Sequence, residues 1–376
     1  QHPLSKSFDP MNSFFNDNHV ELIGFYVFFL IFCKIKISKY LRNICTFIIP
    51  GLKEPPVFNP LVISPATYKC FPCVYHIHQK NADSTKYDFL CSIYFNKIIG
   101  LFPYVRTFRQ NNKNSPIIIF LNEEGFLKIK YLDKVALFNC GVTIFNSGKV
   151  HNHLRGLQIV RLIYFYDFLK TCKHYFKRCI FTDGFDVFFQ GDPFTTDLKA
   201  TNLYLTIESE TNNFLNTSYY EKFPSYYKII CSHNIVNCGV FAGGTSLLCK
   251  FLSVYLKMFP GIIGIESQTI NYNNPYSDQD ALNYFVYVYI KKIPSLRKNL
   301  VLLNTSSPFA SMIGEIRYNP PNVTWEFPEF SVFYNGIRNR PLLVHQYTYH
   351  GKLTASLLKV CGLLEHQKNY TDYYRV

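Results

Sequence analysis

The sequence predicts an α/β fold in which a mostly parallel mixed sheet is flanked by helices. Three observations predict it: apolar residues are abundant, short β-rich runs alternate with helical stretches, and no repeat of about 20–50 residues recurs. Hydrophobic residues make up 48% of the 376 residues, with 36 Phe and 29 Tyr. The chain can therefore bury a large core and is not intrinsically disordered. Because no repeat recurs, solenoids and propellers are excluded.

The strand candidates begin near residue 88 and are interrupted by helical stretches. Strands are predicted at 88–95, 116–121, 135–145, 178–183, 202–208, 237–242 and 341–345, and helices at about 154–172, 246–259 and 279–291. Strands that alternate with helices are typical of α/β domains with a largely parallel sheet.

Composition divides the chain into four parts. We assign an N-terminal segment to residues 1–50, a proline-rich stem to 51–86, the main domain to 87–351 and a C-terminal tail to 352–376. Residues 22–33 form an uncharged apolar run, which is shorter than the about 20 residues that a spanning helix needs. The run suits a signal-peptide core, a short membrane anchor or a buried helix. Basic residues follow it, and this bias favours a cytosolic main domain.

Charge and cysteine usage exclude several classes of protein. A net charge of +14 at pH 7 attracts polyanions, membrane surfaces or phosphorylated small molecules. The basic residues are scattered and form no nucleic-acid-binding module, so nucleic acid is not an expected partner. Twelve cysteines are too few for a disulfide scaffold. Cys70 and Cys73, followed by His76 and His78, could be a zinc site or a redox pair, but a disulfide or free thiols in the stem is the simpler interpretation.

The most informative motif is FTDGFDVFFQGDPF at residues 181–194. Asp183 ends an apolar strand, and Asp186 follows three residues later. Open α/β sheets bind ligands outside the carboxyl ends of their strands, and two carboxylates there suit Mn²⁺ or Mg²⁺, which can bridge to a diphosphate. The alternative is a pair of loop carboxylates that cap a turn. The preceding helical stretch contains three basic residues that could reach a phosphate or lie on a solvated helix face: Arg155, Arg161 and Lys170.

Three later segments place polar residues at strand ends or helix starts: NCGVFAGG (237–244), SDQDALN (277–283) and VHQYTYHG (344–351). The first is a glycine-rich strand whose backbone can approach a ligand, or a strand followed by a turn. The second begins a helix with a capping box, which explains Ser277 and Asp280 but not Asp278 and Gln279. The third presents His345 at a strand end, where it is either a metal ligand or a buried histidine with its hydrogen bonds satisfied.

In this order, the four segments resemble nucleotide-sugar-dependent glycosyltransferases of the GT-A fold over about residues 88–351. The sequence Thr-Asp-x-x-Asp-Val-x-Phe-Gln-x-Asp-Pro-Phe at 182–194 is similar to the signature of a broad group of nucleotide-diphospho-sugar transferases. Its two aspartates are spaced as in collagen-modifying glycosyltransferases. Asn-x-Gly-Val-Phe at 237–241 and Asp-Gln-x-x-Leu-Asn at 278–283 are similar to motifs of glycogenin-like retaining enzymes. The late His-Gln-Tyr-x-x-His at 345–350 completes the pattern.

The resemblance implies a metal-dependent hexosyltransferase that uses Mn²⁺ or Mg²⁺ and a UDP-sugar donor. The implied metal ligands are Asp183, Asp186 and His345, with His350 in reserve; the implied catalytic residues are Asn237, Asp278 and Gln279; and the implied donor-binding residues are Asp183, Asp186, Gly239 and Asn283. Uridine is expected against the first strand, around Cys91 to Tyr94. A retaining enzyme needs no strong base, whereas an inverting one would need a carboxylate such as Asp278, Asp280 or Glu208.

Other functions and locations remain open at this point. A phosphohydrolase could use the same aspartates, although haloacid-dehalogenase-type enzymes space theirs differently, and a non-catalytic protein could bind nucleotide-sugars on the same fold. The acceptor could be a glycan, a protein or a lipid. The apolar run and the stem resemble the layout of a type II Golgi protein, so a Golgi or ER membrane with a lumenal catalytic domain is expected, against the charge bias.

Overall fold

The computed structural model describes residues 59–62, 70, 73, 81–95, 98, 100–148, 157–209, 229–230, 232–264, 278–304, 307–313, 323–326, 331–334 and 340–361. The apolar run at 22–33 and most of the predicted stem lie outside these residues, so the predicted membrane anchor stays a prediction. Among the helices of the described part, none combines the length and the apolar character that a membrane span requires.

The described residues contain an eight-stranded mixed sheet at the centre of the fold. In spatial order its strands are β1 (Asn59–Val62), β4 (Val142–Asn146), β3 (Ile117–Leu121), β2 (Asp88–Tyr94), β5 (Arg178–Asp183), β8 (Ile235–Gly244), β7 (Leu203–Ser209) and β9 (Leu300–Leu303). β4, β3, β2 and β5 run parallel, whereas β8 is antiparallel to both β5 and β7. β1 is antiparallel to β4, and β9 is parallel to β7. The predicted α/β fold with a mostly parallel sheet is confirmed.

Helices pack against both faces of this sheet. They are α1 (Leu101–Asn111), α2 (Glu123–Lys128), α3 (Tyr131–Asn139), α4 (Leu157–Cys172), α5 (Thr245–Gly264), α6 (Asp278–Tyr284), α7 (Pro294–Arg297) and α8 (Gly351–Cys361), and α6 continues into a π-helical turn, Phe285–Tyr289, and a 3₁₀ turn, Ile290–Lys292. Alternate residues of β2 enter two apolar clusters: Phe89 and Cys91 share one with α4 and α5, while Leu90 and Tyr94 share the other with α1. Both faces of the sheet are therefore buried.

Two smaller sheets complete the described residues. One contains β10 (Ala310–Met312), β13 (Leu343–His345) and β6 (Val187–Phe189), and the other is a hairpin of β11 (Val323–Glu326) and β12 (Ser331–Tyr334). β13 is antiparallel to β6, and His345 pairs with Val187. This register brings the end of β13 beside Asp186, which precedes β6 in the chain.

The strand predicted at 135–145 is wrong in its first half. α3 occupies residues up to Asn139, and β4 begins only at Val142. Within α3, Asp133 and Leu137 are buried while Val135 is exposed, and this spacing is helical. A short apolar run does not reveal its period unless the direction of each side chain is known, which explains the error.

Two disulfides connect the segment before the main domain to distant helices. Cys70 is bonded to Cys140, which caps the C-terminus of α3, and Cys73 is bonded to Cys361, the last residue of α8. The two cysteines of the Cys-x-x-Cys motif are therefore neither a mutual redox pair nor zinc ligands. Residues 351–361, most of which the sequence assigns to the tail, form α8 and pack against β6 and β13.

Candidate metal centre

Three side chains from separate strand ends meet at one point. Asp183 is the last residue of β5, Asp186 lies just before β6, and His345 is the last residue of β13. The imidazole Nε2 of His345 lies 3.5 Å from Asp183 Oδ2 and 3.3 Å from Asp186 Oδ1. One ligand atom from each residue lies within 4.8 Å of the others, so the cluster could hold a metal ion.

The backbone around His345 connects β13 to the acidic turn. The N–H of Gln346 donates to the carbonyl oxygen of Asp186 over 2.8 Å. Gln346 has a φ of 66°, in the left-handed region that residues other than glycine seldom adopt. Such strained backbone occurs preferentially at functional sites, where the surrounding contacts maintain it.

The turn between the two aspartates depends on Gly184. The Tyr94 hydroxyl donates to the carbonyl oxygen of Gly184, and a Cβ at Gly184 would collide with the Tyr94 ring and with Ser92 Oγ. Since Gly184 has no Cβ, the backbone of this turn can lie close to β2. The carboxylates of Asp183 and Asp186, which two residues separate, both lie near His345 Nε2.

The donor atoms fit a divalent cation. Asp186 Oδ1 and His345 Nε2 are buried and have no hydrogen-bond partner among the residues that the structure describes, although buried polar atoms normally have one. The other ring nitrogen of His345, Nδ1, lies 3.0 Å from Met312 Sδ. In the tautomer with the proton on Nδ1, this nitrogen donates to the sulfur and Nε2 presents its lone pair on the side of the carboxylates. Two carboxylates and one imidazole are a suitable ligand set for a divalent cation.

The backbone of Gly239 on β8 lies directly against two of the ligand candidates, His345 and Asp183. Its N–H donates to Asn237 Oδ1 over 2.7 Å. A Cβ at Gly239 would overlap His345 Cε1 and would lie 2.8 Å from Asp183 Oδ2. The close approach of two metal-ligand candidates to the backbone therefore requires glycine at this position.

Arg161 of α4 also reaches the centre. Its guanidinium forms an ion pair with Asp183, a second one with Asp278 over 2.8 Å, and donates to the carbonyl oxygen of Cys238. Burial lowers the pKa of this guanidinium, but the neighbouring groups, Asp278 foremost, together more than offset the effect, so the pKa lies above its ordinary value. Arg161 is thus a fixed positive charge beside the cluster. The signal for it in the sequence was a single arginine inside the apolar stretch LQIVRLIYFY at 157–166.

The predicted catalytic residues lie together between β8 and α6. Gln279 Oε1 accepts from Asn237 Nδ2 at 3.4 Å and from the Cys238 N–H at 3.3 Å. Asp278 is the first residue of α6, and its Oδ1 accepts a hydrogen bond from the Gln279 N–H. The amide of Asn283 bonds both the N–H and the carbonyl oxygen of Val236. Asn283 therefore holds α6 against β8, and a donor contact for it stays a prediction.

Glu208 near the end of β7 joins these residues to the metal centre. Its carboxylate accepts one hydrogen bond from the Gln279 amide and another from the Gln346 amide, the latter over 2.8 Å. From the sequence, Glu208 is predicted only as a possible base. In the structure it is a clamp between α6 and the segment after β13.

The reserve ligand and the expected uridine site have other contacts. His350 Nε2 lies 2.8 Å from the carbonyl oxygen of Ile313, and His350 is not part of the cluster. Cys91 to Tyr94 on β2 are buried, and Ser92 donates to the carbonyl oxygen of Thr182. Whether uridine binds there stays a prediction.

No protein-family model matches the chain, and no curated protein matches it. The function must therefore be inferred from the residues and the geometry of the centre.

Proposed function

We propose that the chain is a metal-dependent glycosyltransferase of the GT-A type, which transfers a hexose from a UDP-sugar with retention of configuration. The observation that carries the proposal is the convergence of Asp183, Asp186 and His345 at the carboxyl end of β5, against the backbone of Gly239. Ligands of open α/β sheets bind at that edge. The ordered motifs around the centre support a nucleotide-sugar as the ligand.

The charges around the centre suit a diphosphate leaving group. Asp183, Asp186 and His345 would hold the cation, which when bound supplies positive charge opposite the diphosphate. Arg161 adds a permanent charge on the α4 side. Its ion pair with Asp183 keeps it within reach of a phosphate oxygen that enters the cluster.

Retention of configuration is favoured by the state of the candidate bases. Asp278 is paired with Arg161, and Glu208 accepts two amide hydrogen bonds. To act as a general base, each of these two carboxylates would have to share its existing partners with an acceptor hydroxyl. Asp280, the third candidate, lies in the first turn of α6. Asn237 and Gln279, which neighbour these carboxylates, carry neutral amides that can orient sugar hydroxyls.

The disulfides support an oxidising compartment. Cys70–Cys140 and Cys73–Cys361 would be reduced in most cytosols, whereas disulfides persist in the ER and in compartments reached from it. We therefore place the catalytic domain in the lumen of the ER or Golgi, in spite of the basic residues that follow the apolar run.

The proposal is tested by turnover of UDP-sugars. The full chain is incubated with a panel of UDP-sugars and Mn²⁺, and release of UDP is measured with and without EDTA. We expect release that EDTA abolishes, that added Mn²⁺ restores, and that Asp186→Asn lowers by at least about 100-fold. Asp197→Asn is the matched control, because Asp197 is an exposed carboxylate outside the cluster.

The other outcomes identify the rival functions. Release of phosphate from simple esters, without UDP release, would indicate a phosphohydrolase. UDP binding in the presence of Mn²⁺ without turnover of any donor would indicate a binding protein. If a folded sample neither turns over a donor nor binds UDP with Mn²⁺, the proposal is wrong.

A further inference from the structure

Basic residues that are scattered along the sequence meet at one edge of the main sheet. β3, β2, β5, β7 and β9 begin at this edge, and the antiparallel β8 ends there. Exposed or half-buried basic residues lie in the segments next to these strand ends: Lys86, Lys113, Lys173, Lys177, Lys199, Lys250, Arg297 and Lys298. These eight residues are called the basic edge below.

Short contacts connect the segments of the basic edge. The Lys177 N–H donates to the carbonyl oxygen of Tyr87, and the Thr245 N–H at the start of α5 donates to the carbonyl oxygen of Lys177. Lys250 on α5 donates to Ser295 Oγ on α7 over 2.8 Å. Since neighbouring strands lie about 4.8 Å apart, the five steps from β3 to β9 spread these charges over about 24 Å.

The net charge at this end of the sheet is positive. Residues 81–88, 112–116, 172–178, 192–202, 244–250 and 294–300 contain nine basic residues against four acidic ones, which gives a net charge of +5. Of the four acidic residues, Asp88 and Asp192 are buried. Arg178, the ninth basic residue, forms ion pairs with Asp83 and Asp88. The described surface here is therefore positive and attracts anions.

Two exposed tyrosines lie among these lysines. Tyr87 is 53% exposed and Tyr175 is 45% exposed. The Nζ atom of Lys86 lies 5.3 Å from the centre of the Tyr87 ring, and Tyr175 lies two residues before Lys177. An exposed tyrosine presents an apolar ring face and a polar hydroxyl together, a combination that suits the C–H faces and hydroxyl groups of a sugar ring.

From these observations we propose that the basic edge binds an acidic polysaccharide. The carboxylate or sulfate groups of the polysaccharide pair with the lysines, and its sugar rings pack on Tyr87 and Tyr175. A row of cations about 24 Å long matches an extended chain with repeated anionic groups rather than a single phosphate. Clustered basic residues are typical of heparin-binding surfaces.

The choice of partner rests on the lumenal placement that the two disulfides support. The anionic leaflet of cellular membranes faces the cytoplasm, and nucleic acids are absent from the ER and Golgi lumen. An acidic peptide supplies the charges but not the sugar rings that the tyrosines suit.

The basic edge is separate from the metal centre. β5 extends from Arg178 at the basic edge to Asp183 at the metal centre, a rise of about 17 Å at the usual spacing of strand residues. Polysaccharide binding is therefore independent of the proposed transferase activity, and it is measured in EDTA so that the metal centre makes no contribution.

Titration of the full chain with a fluorescent heparin oligosaccharide tests the proposal. Exposed ion pairs contribute up to about fivefold each, so Lys86→Gln, Lys177→Gln, Lys298→Gln should weaken heparin binding by at least about tenfold. The matched control is Lys128→Gln, Lys130→Gln, Lys257→Gln, which removes the same charge at exposed positions outside the basic edge. The control should bind within about twofold of the unaltered chain. An equal loss in both triple variants would overturn the proposal, because the attraction would then come from the net charge of the whole chain.

A tyrosine variant and a second polyanion distinguish a polysaccharide from an acidic peptide. Tyr87→Ser, Tyr175→Ser should weaken heparin binding by about three- to tenfold, and poly-glutamate should compete poorly with heparin at equal concentrations of charge. All these variants alter exposed side chains, so each should keep the melting temperature of the unaltered chain. Equal competition by poly-glutamate, with no effect of the tyrosine variant, would overturn the proposal and assign the basic edge to an acidic peptide.

Discussion

Replacement of Gly239 with alanine should weaken Mn²⁺ binding by about 10–100-fold, the usual cost of disturbing the support of a metal ligand. The new methyl group would overlap His345 Cε1, and it would lie 2.8 Å from Asp183 Oδ2 and 2.9 Å from Asn237 Oδ1. Carbon and oxygen atoms do not approach so closely without a bond, so the ligands or β8 must move. Overpacking of this kind costs roughly 1–3 kcal/mol of stability in the unliganded chain.

The matched control is Gly351→Ala. A Cβ at Gly351 meets nothing within 4 Å, and the residue is the first of α8. Alanine in a helix is favoured over glycine by about 0.5–1 kcal/mol, so this variant should be as stable as the unaltered chain or slightly more so. Its affinity for Mn²⁺ should not change.

Calorimetric titration with Mn²⁺ and thermal unfolding with and without Mn²⁺ measure both effects. At a fixed Mn²⁺ concentration well above the dissociation constant, a tenfold loss of affinity removes about 1.4 kcal/mol of the stabilisation by the ion. A folded Gly239→Ala variant that binds Mn²⁺ as tightly as the Gly351→Ala control would refute the placement of Gly239 against the ligands.

Two further predictions concern a buried carboxyl and the clamp. Burial raises the pKa of Asp167 to about 7; the folded chain therefore holds this proton more tightly than the unfolded one, and stability falls as the pH rises from about 4 to about 7. The stability gain of Asp167→Asn over the unaltered chain should be larger at pH 8 than at pH 5 by roughly 3 kcal/mol, and an equal difference in unfolding free energy at both pH values would contradict this reasoning. Glu208→Gln should lower kcat by at least about tenfold with little change in Mn²⁺ affinity, because the new amide can accept only one of the two hydrogen bonds from Gln279 and Gln346. Steady-state kinetics and Mn²⁺ titration measure both quantities, and an unchanged kcat would show that the clamp does not position the reacting groups.

Part of the site was predictable because its residues follow strands. Asp183 ends one apolar strand, and His345 ends another. Because ligands of open α/β sheets bind outside the carboxyl ends of the strands, these two side chains could be expected to lie near one site. Sequence alone could not show that β13 pairs with β6, and this pairing places His345 rather than His350 beside the acidic turn.

Other parts could not be predicted because long-range contacts determine them. Arg161 is one polar residue in an apolar helix, and its neighbours become known only when α4 is placed against the sheet. The partners of Cys70 and Cys73 lie far along the chain, and spacing does not specify such pairings. Residues 135–139 were assigned to a strand because tertiary packing, which buries only one side of α3, decides how a short apolar run is folded.

The most direct test of the central claim is calorimetric titration of UDP into the unaltered chain and into His345→Ala and His350→Ala, each with Mn²⁺ and with EDTA. We predict that UDP binds the unaltered chain and His350→Ala only when Mn²⁺ is present, and that His345→Ala binds it at least about tenfold more weakly. UDP affinity that is the same in EDTA, or the same in His345→Ala and the unaltered chain, would contradict the claim that Asp183, Asp186 and His345 hold the cation that binds the diphosphate.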